Sequence, residues 1–529
     1  MPVWPKSFYT FGLSLSSAAT EWSLRQKRGA AAAQTRALRG LTAALATTAY
    51  GKQVGIESRM GYAEFQKRVP LQRHEQLVPL LQRMQAGEAD VLWPGRCTVF
   101  VKSSGTTTGA PKLLPLTDGM LSHFRRAWLE TLLYYTVRVK HAQVFGGRHL
   151  FCGGSTAFEP VPSGNSPQAR TTELSGACEL SLAGWPDKYF YEPGAEVAQL
   201  SDWPAKVKAT ARRTAQADIT LLAGIPTWTL NLANGIRESR ANGGLPPANL
   251  QGVWSKLECY VHRGVPIGPF YDELRATLGP KVKFHEVFLA PEGLVAAQDG
   301  EPSAGLRVLA DAGLFLEFLP MAEFDEARLD QIGAKAVPLS AVRPATNYVL
   351  LLTTPAGLVR HVVGDVVRFT STEPPRMVYV GRTRLRLNAF GESVIERELT
   401  DALVAVCQRR GWTIVNFHVA PLFANSMTSQ QRGRHEWWIE LKPGTVATPT
   451  GPQMAIELDA ELMRQNPDYT QKRKTGGIDA PFVRLVMPGV FEHWLQYHGR
   501  WGGEHKMPRC RSDRSVADEL AQITNFARD

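Results

Sequence analysis

Residues 99–117, Val99-Phe-Val-Lys-Ser-Ser-Gly-Thr-Thr-Thr-Gly-Ala-Pro-Lys-Leu-Leu-Pro-Leu-Thr117, are the stretch that decides the fold. An apolar run predicts a buried strand, and it is followed by seven small residues and then a second apolar run. Small hydroxyl residues and glycines let the backbone bend so that several N–H and O–H groups face one anion. The pattern predicts a polyphosphate-binding loop made of Ser103, Ser104, Gly105, Thr106, Thr107, Thr108 and Gly109, with Lys112 adding a positive charge.

Two other interpretations of this loop are disfavoured. A flexible Ser/Thr/Gly linker has a similar composition, but here both flanks are strand-like and a lysine closes the loop. A Walker loop has four residues between its glycines, followed at once by Lys and Ser or Thr and then by a helix. Gly105 and Gly109 are separated by three residues, and Leu113-Leu-Pro115 would break a helix. Kinase and GTPase chemistry is therefore disfavoured.

The composition indicates a folded protein of more than one domain. A length of 529 residues predicts two or three domains, and 44% apolar with 21% charged residues is ordinary for a globular chain. The net charge of +11 could attract nucleic acid or an anionic membrane, but the 60 Lys and Arg residues are scattered, without a run of five. Since no nucleic-acid-binding module is recognisable either, we expect no nucleic-acid partner.

The cysteines and the hydropathy pattern point to a cytoplasmic location. The six cysteines contain no C-x-x-C pair, which disfavours both a disulfide framework and structural zinc. No stretch of eighteen apolar residues occurs, so we expect no membrane partner. Phe8–Ala19 is mildly apolar and leaves a secretory signal as the alternative.

The order of predicted elements favours an α/β fold. Strands predicted at Ile219–Gly224, Leu257–Val261 and Val282–Phe288 alternate with helices, as in a largely parallel sheet. From Tyr348 onward, short strands separated by turns predict an antiparallel meander, with Gly364-Asp365 at one of the turns. Helices are predicted over residues 21–48, 62–85 (in two parts), 118–135 and 396–410. We place the domain boundary near residue 382, giving a large domain at 1–382 and a small α+β domain at 383–529.

Three further residues have a chemistry that suits a nucleotide site. Glu292 follows a predicted strand, where α/β sheets bind ligands, and one carboxylate suits Mg²⁺; the alternative is a surface glutamate. Asp365 could accept both ribose hydroxyls, whereas an Asx turn is the plainer interpretation. Lys506 follows two glycines, so it could reach a cleft and neutralise developing charge, or lie in a solvated basic tail.

Taken in order, these segments resemble the auxin-responsive (Gretchen Hagen) acyl-acid–amido synthetases, a branch of the adenylate-forming enzymes. The loop resembles the family's first nucleotide motif, Phe288-Leu-Ala-Pro-Glu-Gly293 the second, and Leu358–Arg368 the third. Leu387-Asn-Ala-Phe-Gly-Glu392 and Gly502–Arg509 resemble the signatures of the small domain. The resemblance covers about residues 60–515 and is closer to the non-plant branch, so auxin or jasmonate does not follow as the substrate.

The resemblance implies an architecture and a reaction. It implies mixed, mostly parallel sheets, a β-barrel-like antiparallel part and a mobile small domain that turns about Arg382–Arg386. A carboxylic acid and ATP would give an acyl-adenylate and pyrophosphate, and an amine, typically an amino acid, would then displace AMP. The loop residues would hold phosphates, Glu292 would sit beside Mg²⁺, Asp365 would bind ribose, Arg382 would belong to the nucleotide site, and Lys506 would reach the α-phosphate. A monomer is favoured.

One departure keeps alternatives open. The second motif usually has a hydroxyl residue before its glutamate, and here that position is Pro291. A catalytically degenerate nucleotide-binding protein is therefore one alternative, and a ligase with a thiol acceptor, such as coenzyme A, is another. We expect the acid pocket to be lined by residues from Ile219–Trp228 and Val261–Ile267, because these segments flank the predicted nucleotide cleft.

Overall fold

The fold is given by a computed structural model. It describes residues 5–25, 29–102, 112–161, 168–241, 246–263, 267–383, 386–387, 389–390, 392, 394–423, 433–445, 448–498 and 507–526. The 103–111 part of the predicted phosphate loop and Lys506 lie outside these ranges.

The chain divides into two compact units. The first consists mainly of Met1–Val265 and Asp272–Tyr379, and the second mainly of Pro266–Tyr271, Val380–Trp501 and His505–Asp529. Among the described residues, no helix combines the length and the apolar character needed to cross a membrane. All six cysteines are buried as free thiols.

The predicted helix over residues 21–48 is wrong in its limits, because two helices, Lys6–Arg25 and Ala30–Leu45, cover this region. The first packs on the fold: the Ser17 and Thr136 hydroxyls are 2.8 Å apart, and the rings of Tyr9 and Trp185 stack at 4.3 Å. The other helices of the first unit are Ala49–Gln53, Tyr62–Arg68, His74–Gln85, Asp118–Val139, Leu174–Leu182, Trp185–Phe190, Ala195–Ala198, Trp203–Arg213, Pro226–Ser239, Tyr271–Leu278 (which starts at the boundary) and Leu329–Ile332.

The strands that flank the 103–112 loop belong to a small sheet. Its order is Leu113–Pro115, Val99–Lys102, Arg170–Glu173, Glu159–Pro160. Val99–Lys102 is antiparallel to the first of these and parallel to the third, and its Phe100 and Val101 are fully buried. One strand on each side of the loop was predicted, and the structure contains both.

A second sheet has twelve strands and combines a parallel part with an antiparallel part. Its five parallel strands are Lys283–Ala290, Cys259–His262, Ile219–Gly224, Arg148–Cys152 and Tyr191–Glu192. All six residues of Ile219–Gly224 are buried, as expected for a central parallel strand. The remaining strands, in sheet order, are Val337–Pro338, Phe315–Pro320, Asn347–Thr353, His361–Thr372, Pro375–Arg382, Leu306–Val308 and Gly293–Gln298. This mixed α/β arrangement agrees with the predicted fold class.

The predicted turn at Gly364-Asp365 is wrong. His361–Thr372 is one continuous strand, and these two residues lie inside it. Val362 pairs with Leu351 and Val366 with Val349, so the strand has two more residues than its partner over this interval. Gly364 has a φ of +87°, which glycine adopts without steric cost, so the extra residues form a β-bulge.

The second unit is a smaller α+β structure. Its sheet order is Ile414–Leu422, Arg434–Leu441, Phe482–Val486, with the first pair antiparallel and the second parallel. A two-stranded ribbon, Arg386–Leu387 with Val394–Ile395, precedes the helix Glu396–Arg410, which has the predicted limits. Its core contains Leu399, Phe417, Trp437 and Leu458. The other helices are Gly451–Gln465, Pro467–Thr475, Val490–Tyr497 and Ser515–Phe526.

Candidate functional site

The 103–112 loop starts and ends at paired residues. Lys102 is the register partner of Leu113, so the loop closes the end of an antiparallel pair of strands. Lys112 lies at the far end of the loop, with its Nζ 3.7 Å from a carboxylate oxygen of Glu75, in the first turn of His74–Gln85. Both side chains are partly exposed, so this contact leaves the lysine accessible to an anion. The positions of Ser103–Gly109 themselves stay predictions.

The helix Asp118–Val139 follows the strand Leu113–Pro115, and Thr117 or Asp118 was predicted as its N-cap. The Thr117 hydroxyl accepts a hydrogen bond from the Met120 amide at 3.2 Å, which confirms the cap. The helix extends to Val139, four residues beyond the predicted end. Gly119 packs closely against Pro355, because a Cβ at residue 119 would lie 2.8 Å from the Pro355 Cβ. The start of this helix is thus fixed against the segment that precedes His361–Thr372.

Glu292 lies in a tight hairpin turn. Ala290 pairs with Gly293, so Pro291 and Glu292 form a two-residue loop between Lys283–Ala290 and Gly293–Gln298. The position agrees with the prediction at the carboxyl end of a strand that is parallel to Cys259–His262. Proline fixes φ near −65°, so Pro291 stiffens the turn that carries the glutamate, although it supplies no hydroxyl.

Asp365 is a buried side chain, with 2% of its surface exposed. It immediately follows Gly364, whose backbone conformation creates the bulge. Ladder pairs on both sides of the bulge hold the backbone that carries this carboxylate. Glu292 and Asp365 belong to the same twelve-stranded sheet, whereas the 103–112 loop belongs to the small sheet.

Arg360, in the third motif, is an important residue that the sequence analysis missed. Its side chain is fully buried and forms an ion pair with Glu317, with Nε 3.0 Å from one carboxylate oxygen. It also donates to the carbonyls of Val69 at 2.7 Å and Gly333 at 2.7 Å. An arginine inside the apolar run Leu358–Val363 was the available signal. Arg360 ties the segment before Asp365 to the N-terminal helices.

A cleft opens at the carboxyl ends of the parallel strands. We call it the strand-end cleft. Four strands contribute residues at or just beyond their ends, and the lining residues from them are Phe151, Cys152, Gly153, Gly154, Tyr191, Pro193, Ala223, Gly224, Val261 and Arg263. This edge is where open α/β sheets bind ligands. Ala223, Gly224, Val261 and Arg263 come from the two segments predicted to line an acid pocket.

The strand-end cleft combines aromatic walls with positive charge. Phe151 lies between Trp128 and Tyr191, with ring centroids 6.1 Å and 5.7 Å away. Lys206 is buried and donates to the carbonyls of Gly154 at 2.6 Å and Ala198 at 2.7 Å. Among the described residues that line the cleft, Lys206 and Arg263 are cationic and none is Asp or Glu. The cleft therefore suits an apolar ligand that carries negative charge.

Lys506 lies outside the described residues, but the segment that follows it is firmly held within the second unit. Nδ1 of the buried His418 hydrogen-bonds to the Pro508 carbonyl at 2.7 Å, and the Val419 amide donates to the Arg509 carbonyl at 2.9 Å. The buried guanidinium of Arg509 lies 4.7 Å from the ring centre of Phe417. These contacts fix the carboxyl end of the Gly502–Arg509 motif.

Two predicted site residues remain, Arg382 for the nucleotide and Glu292 for the metal ion. Arg382 ends the strand Pro375–Arg382 and is half-buried. Among the described residues, no group of three or more His, Cys, Asp or Glu side chains could hold a metal ion. A single half-buried carboxylate at Glu292 still fits Mg²⁺, which retains several waters and binds mainly to phosphate oxygens.

Three domain descriptions of one family match the chain. The GH3 family N-terminal domain matches residues 20–164, the GH3 family central domain residues 307–382, and the GH3 family C-terminal domain residues 397–515.

Relatives that match over most of their length include plant proteins named as amido synthetases. The chain is 25% identical to a probable indole-3-acetic acid-amido synthetase of Oryza sativa subsp. japonica, over 96% of this chain and 95% of the relative. It is 21% identical to a jasmonoyl–L-amino acid synthetase of Nicotiana attenuata, over 88% of each chain.

Two solved structures share the fold. An acyl acid amido synthetase in complex with 2,4-DB superposes with a TM-score of 0.74 at 17% identity, covering 99% of this chain and 97% of that one. A 2-hydroxyisobutyryl-CoA ligase in the postadenylation state gives a TM-score of 0.57 at 14% identity, covering 93% and 91%.

Proposed function

Because this chain belongs to the GH3 family, we propose that it is an ATP-dependent, AMP-forming acyl-acid–amido synthetase. A carboxylate oxygen of the acid attacks the α-phosphorus of ATP and pyrophosphate leaves. The nitrogen of an amine, most simply an amino acid, then attacks the acyl carbon; AMP leaves, and the nitrogen loses a proton. The observation that carries the proposal is the similarity to named amido synthetases along nearly the whole chain.

The nucleotide would be held by the loop of the small sheet and by residues of the twelve-stranded sheet. In this proposal the amides and hydroxyls of Ser103–Gly109 bind the β- and γ-phosphates, and Lys112 adds charge at the end of the loop. Asp365 accepts the ribose hydroxyls, and its burial in the bulge favours a fixed geometry. Arg382 lies at the end of its strand and contributes to the same nucleotide site.

Magnesium would rest on Glu292. When bound, it neutralises charge on the phosphate oxygens as pyrophosphate leaves. The chain's own contribution is one carboxylate on a turn that Pro291 makes rigid.

The strand-end cleft is the proposed acid site. Its aromatic side chains Trp128, Phe151 and Tyr191 would pack on an apolar, flat acid, and Lys206 and Arg263 would favour an anionic one.

We propose that the domain boundary lies near residue 382, with a large domain at 1–382 and a small domain at 383–529. The small domain would bring Lys506 to the α-phosphate during adenylation, turning about Arg382–Arg386 between the two steps. A cytoplasmic location is proposed because the six cysteines are buried free thiols, and a monomer is the proposed form.

The test is acid-dependent exchange of pyrophosphate into ATP, with a panel of aromatic and aliphatic acids, followed by product analysis. We expect exchange with at least one acid and an amide product with at least one amino acid. Amines and coenzyme A should be supplied separately to one preformed adenylate, because a thioester without an amide would identify a thiol ligase. Neither exchange nor AMP release with any acid would refute adenylation altogether.

A further inference from the structure

His123 connects two parts of the proposed nucleotide site. It lies on the helix Asp118–Val139, which follows the strand Leu113–Pro115 at the end of the 103–112 loop, and only 3% of its surface is exposed. Its Nε2 accepts a hydrogen bond from the Leu294 amide at 3.0 Å, two residues after Glu292. Its Nδ1 is 2.8 Å from the carbonyl of Ala312. The imidazole therefore joins the helix Asp118–Val139 to the hairpin that carries Glu292.

The hydrogen bonds define the proton position on this ring. Leu294 N–H can only donate, so Nε2 must carry a lone pair, and the proton resides on Nδ1, which donates to Ala312. Burial lowers the pKa of His123 to about 4, so the ring is neutral near pH 7. Both ring nitrogens are thus used in holding neighbouring backbone, and neither serves as an acid or base.

Gly293 explains why the ring can come so close. A Cβ at this residue would lie 3.1 Å from Nε2 of His123 and 2.6 Å from Cδ1 of Leu314. The φ of Gly293 is also +151°, a backbone conformation that residues other than glycine rarely adopt. The glycine after Glu292 in the second motif is therefore a packing requirement of the imidazole and of Leu314.

We propose that His123 is a positioning residue, which fixes the Pro291–Glu292 turn relative to the helix Asp118–Val139 so that the Glu292 carboxylate can meet a metal bound to the nucleotide phosphates. The inference rests on the proposed function. A magnesium site that rests on Glu292 depends on accurate placement of this carboxylate, because no cluster of three or more His, Cys, Asp or Glu side chains among the described residues could hold the ion. Replacing a group that orients a metal ligand typically lowers metal affinity or activity about 10- to 100-fold.

Two substitutions separate the two hydrogen bonds. In His123→Gln the amide oxygen can occupy the Nε2 position and still accept from Leu294, whereas the contact with Ala312 is lost. In His123→Asn the amide nitrogen can still donate to Ala312, but no atom reaches Leu294. Each variant loses one hydrogen bond, so a purely structural role predicts similar losses of thermal stability and similar kinetics.

The experiment measures the magnesium dependence of ATP–pyrophosphate exchange in the full-length variants. We expect His123→Asn to raise the apparent Mg²⁺ constant about tenfold with little change at saturating Mg²⁺, and His123→Gln to stay within about twofold of wild type. Equal Mg²⁺ constants for the two variants would overturn the proposal.

Amide hydrogen exchange in the nucleotide-free protein gives a second readout. His123→Asn should speed exchange at Leu294 severalfold relative to His123→Gln, and equal rates would overturn the inference. If neither variant folds, the wild-type Leu294 amide must still exchange slowly, since rapid exchange there would contradict the hydrogen bond. Absence of pyrophosphate exchange in wild type would refute the proposed function, whereas the amide comparison would still decide whether His123 holds the turn.

Discussion

The hydroxyl of Thr117 donates a hydrogen bond of 2.5 Å to the carbonyl of Pro355, 238 residues further along the chain. The same oxygen accepts from the amide of Met120 and so caps the helix Asp118–Val139. One side chain thus fixes both the helix that follows the 103–112 loop and the segment that leads to Asp365. The proposed phosphate and ribose contacts share this anchor.

Replacing Thr117 with valine should weaken both contacts at nearly constant volume. We expect a loss of about 1–3 kcal/mol in unfolding free energy, from the missing cap and the unpaired Pro355 carbonyl, measured by urea denaturation. ATP–pyrophosphate exchange should fall as well, because the loop and the ribose site lose their common anchor. Thr450→Val is the matched control, since Thr450 caps Gly451–Gln465 in the second unit and should affect stability alone. An equal loss of exchange in both variants would contradict the argument.

The contact between Lys112 and Glu75 permits a test of which partner has a function. Lys112→Met removes the charge at the end of the loop, and we expect kcat/KM for ATP to fall about 100-fold in the exchange assay. Glu75→Gln removes the same ion pair but leaves the lysine, and it should change exchange by less than about twofold, because exposed pairs contribute at most about 1 kcal/mol. Similar losses in both variants would make the pair structural.

Lys506 is proposed to neutralise charge that develops at the α-phosphate. Lys506→Ala should therefore lower the exchange rate about 100- to 1,000-fold while leaving the dissociation constant for ATP, measured by calorimetry, within about twofold. Lys474→Ala, on an exposed position of Pro467–Thr475, controls for loss of a basic residue in the same unit. Unchanged exchange in Lys506→Ala would remove this residue from the mechanism.

Local sequence patterns predicted the elements whose signals are local. The buried strand Ile219–Gly224, the cap at Thr117 and the helix Glu396–Arg410 each follow from apolar spacing or capping chemistry within a few residues. Gly364-Asp365 is compatible with either a turn or a bulge. The choice depends on the register with Asn347–Thr353, which the local sequence does not contain.

The missed residues have distant partners. Arg360 is held by Glu317, Val69 and Gly333, and His123 by Leu294 and Ala312, at separations of 27 to 291 residues. A buried arginine or histidine has the same local pattern as a surface one, so only the tertiary fold reveals its role. The strand-end cleft was half predicted for the same reason: the strands Ile219–Gly224 and Leu257–Val261 were predicted, but Lys206 on Trp203–Arg213 was not.

Buried histidines should make the fold sensitive to acid. Burial lowers the pKa of His149 to about 4, so below pH 6.5 the unfolded chain binds a proton that the folded chain does not. Stability should therefore rise with pH from about 4 to 6.5, by up to about 1.4 kcal/mol per pH unit for each such group. Seven of the twelve histidines share this direction, namely His74, His123, His149, His262, His285, His361 and His418.

His149→Gln tests this linkage at one site. Glutamine can keep a donor to the Val144 carbonyl, which lies 3.1 Å from Nε2, but it cannot titrate. The urea midpoint of the variant should fall less steeply between pH 6.5 and 5 than that of wild type. Parallel curves for the two proteins would show that His149 takes up no proton on unfolding.

The strand-end cleft gives a prediction about acid selectivity. Ser175 lines it from the first turn of Leu174–Leu182 and is half-buried, so a larger side chain can extend into the cleft without disturbing the core. Ser175→Phe should lower kcat/KM for bulky aromatic acids at least tenfold relative to small aliphatic acids, because lost volume penalises the larger ligand. The KM for ATP should stay constant. Ser175→Ala removes only the hydroxyl that donates to Ser155 at 3.3 Å and should leave the acid profile unchanged. If Ser175→Phe lowers activity equally with all acids, the acid binds elsewhere and the cleft serves another ligand.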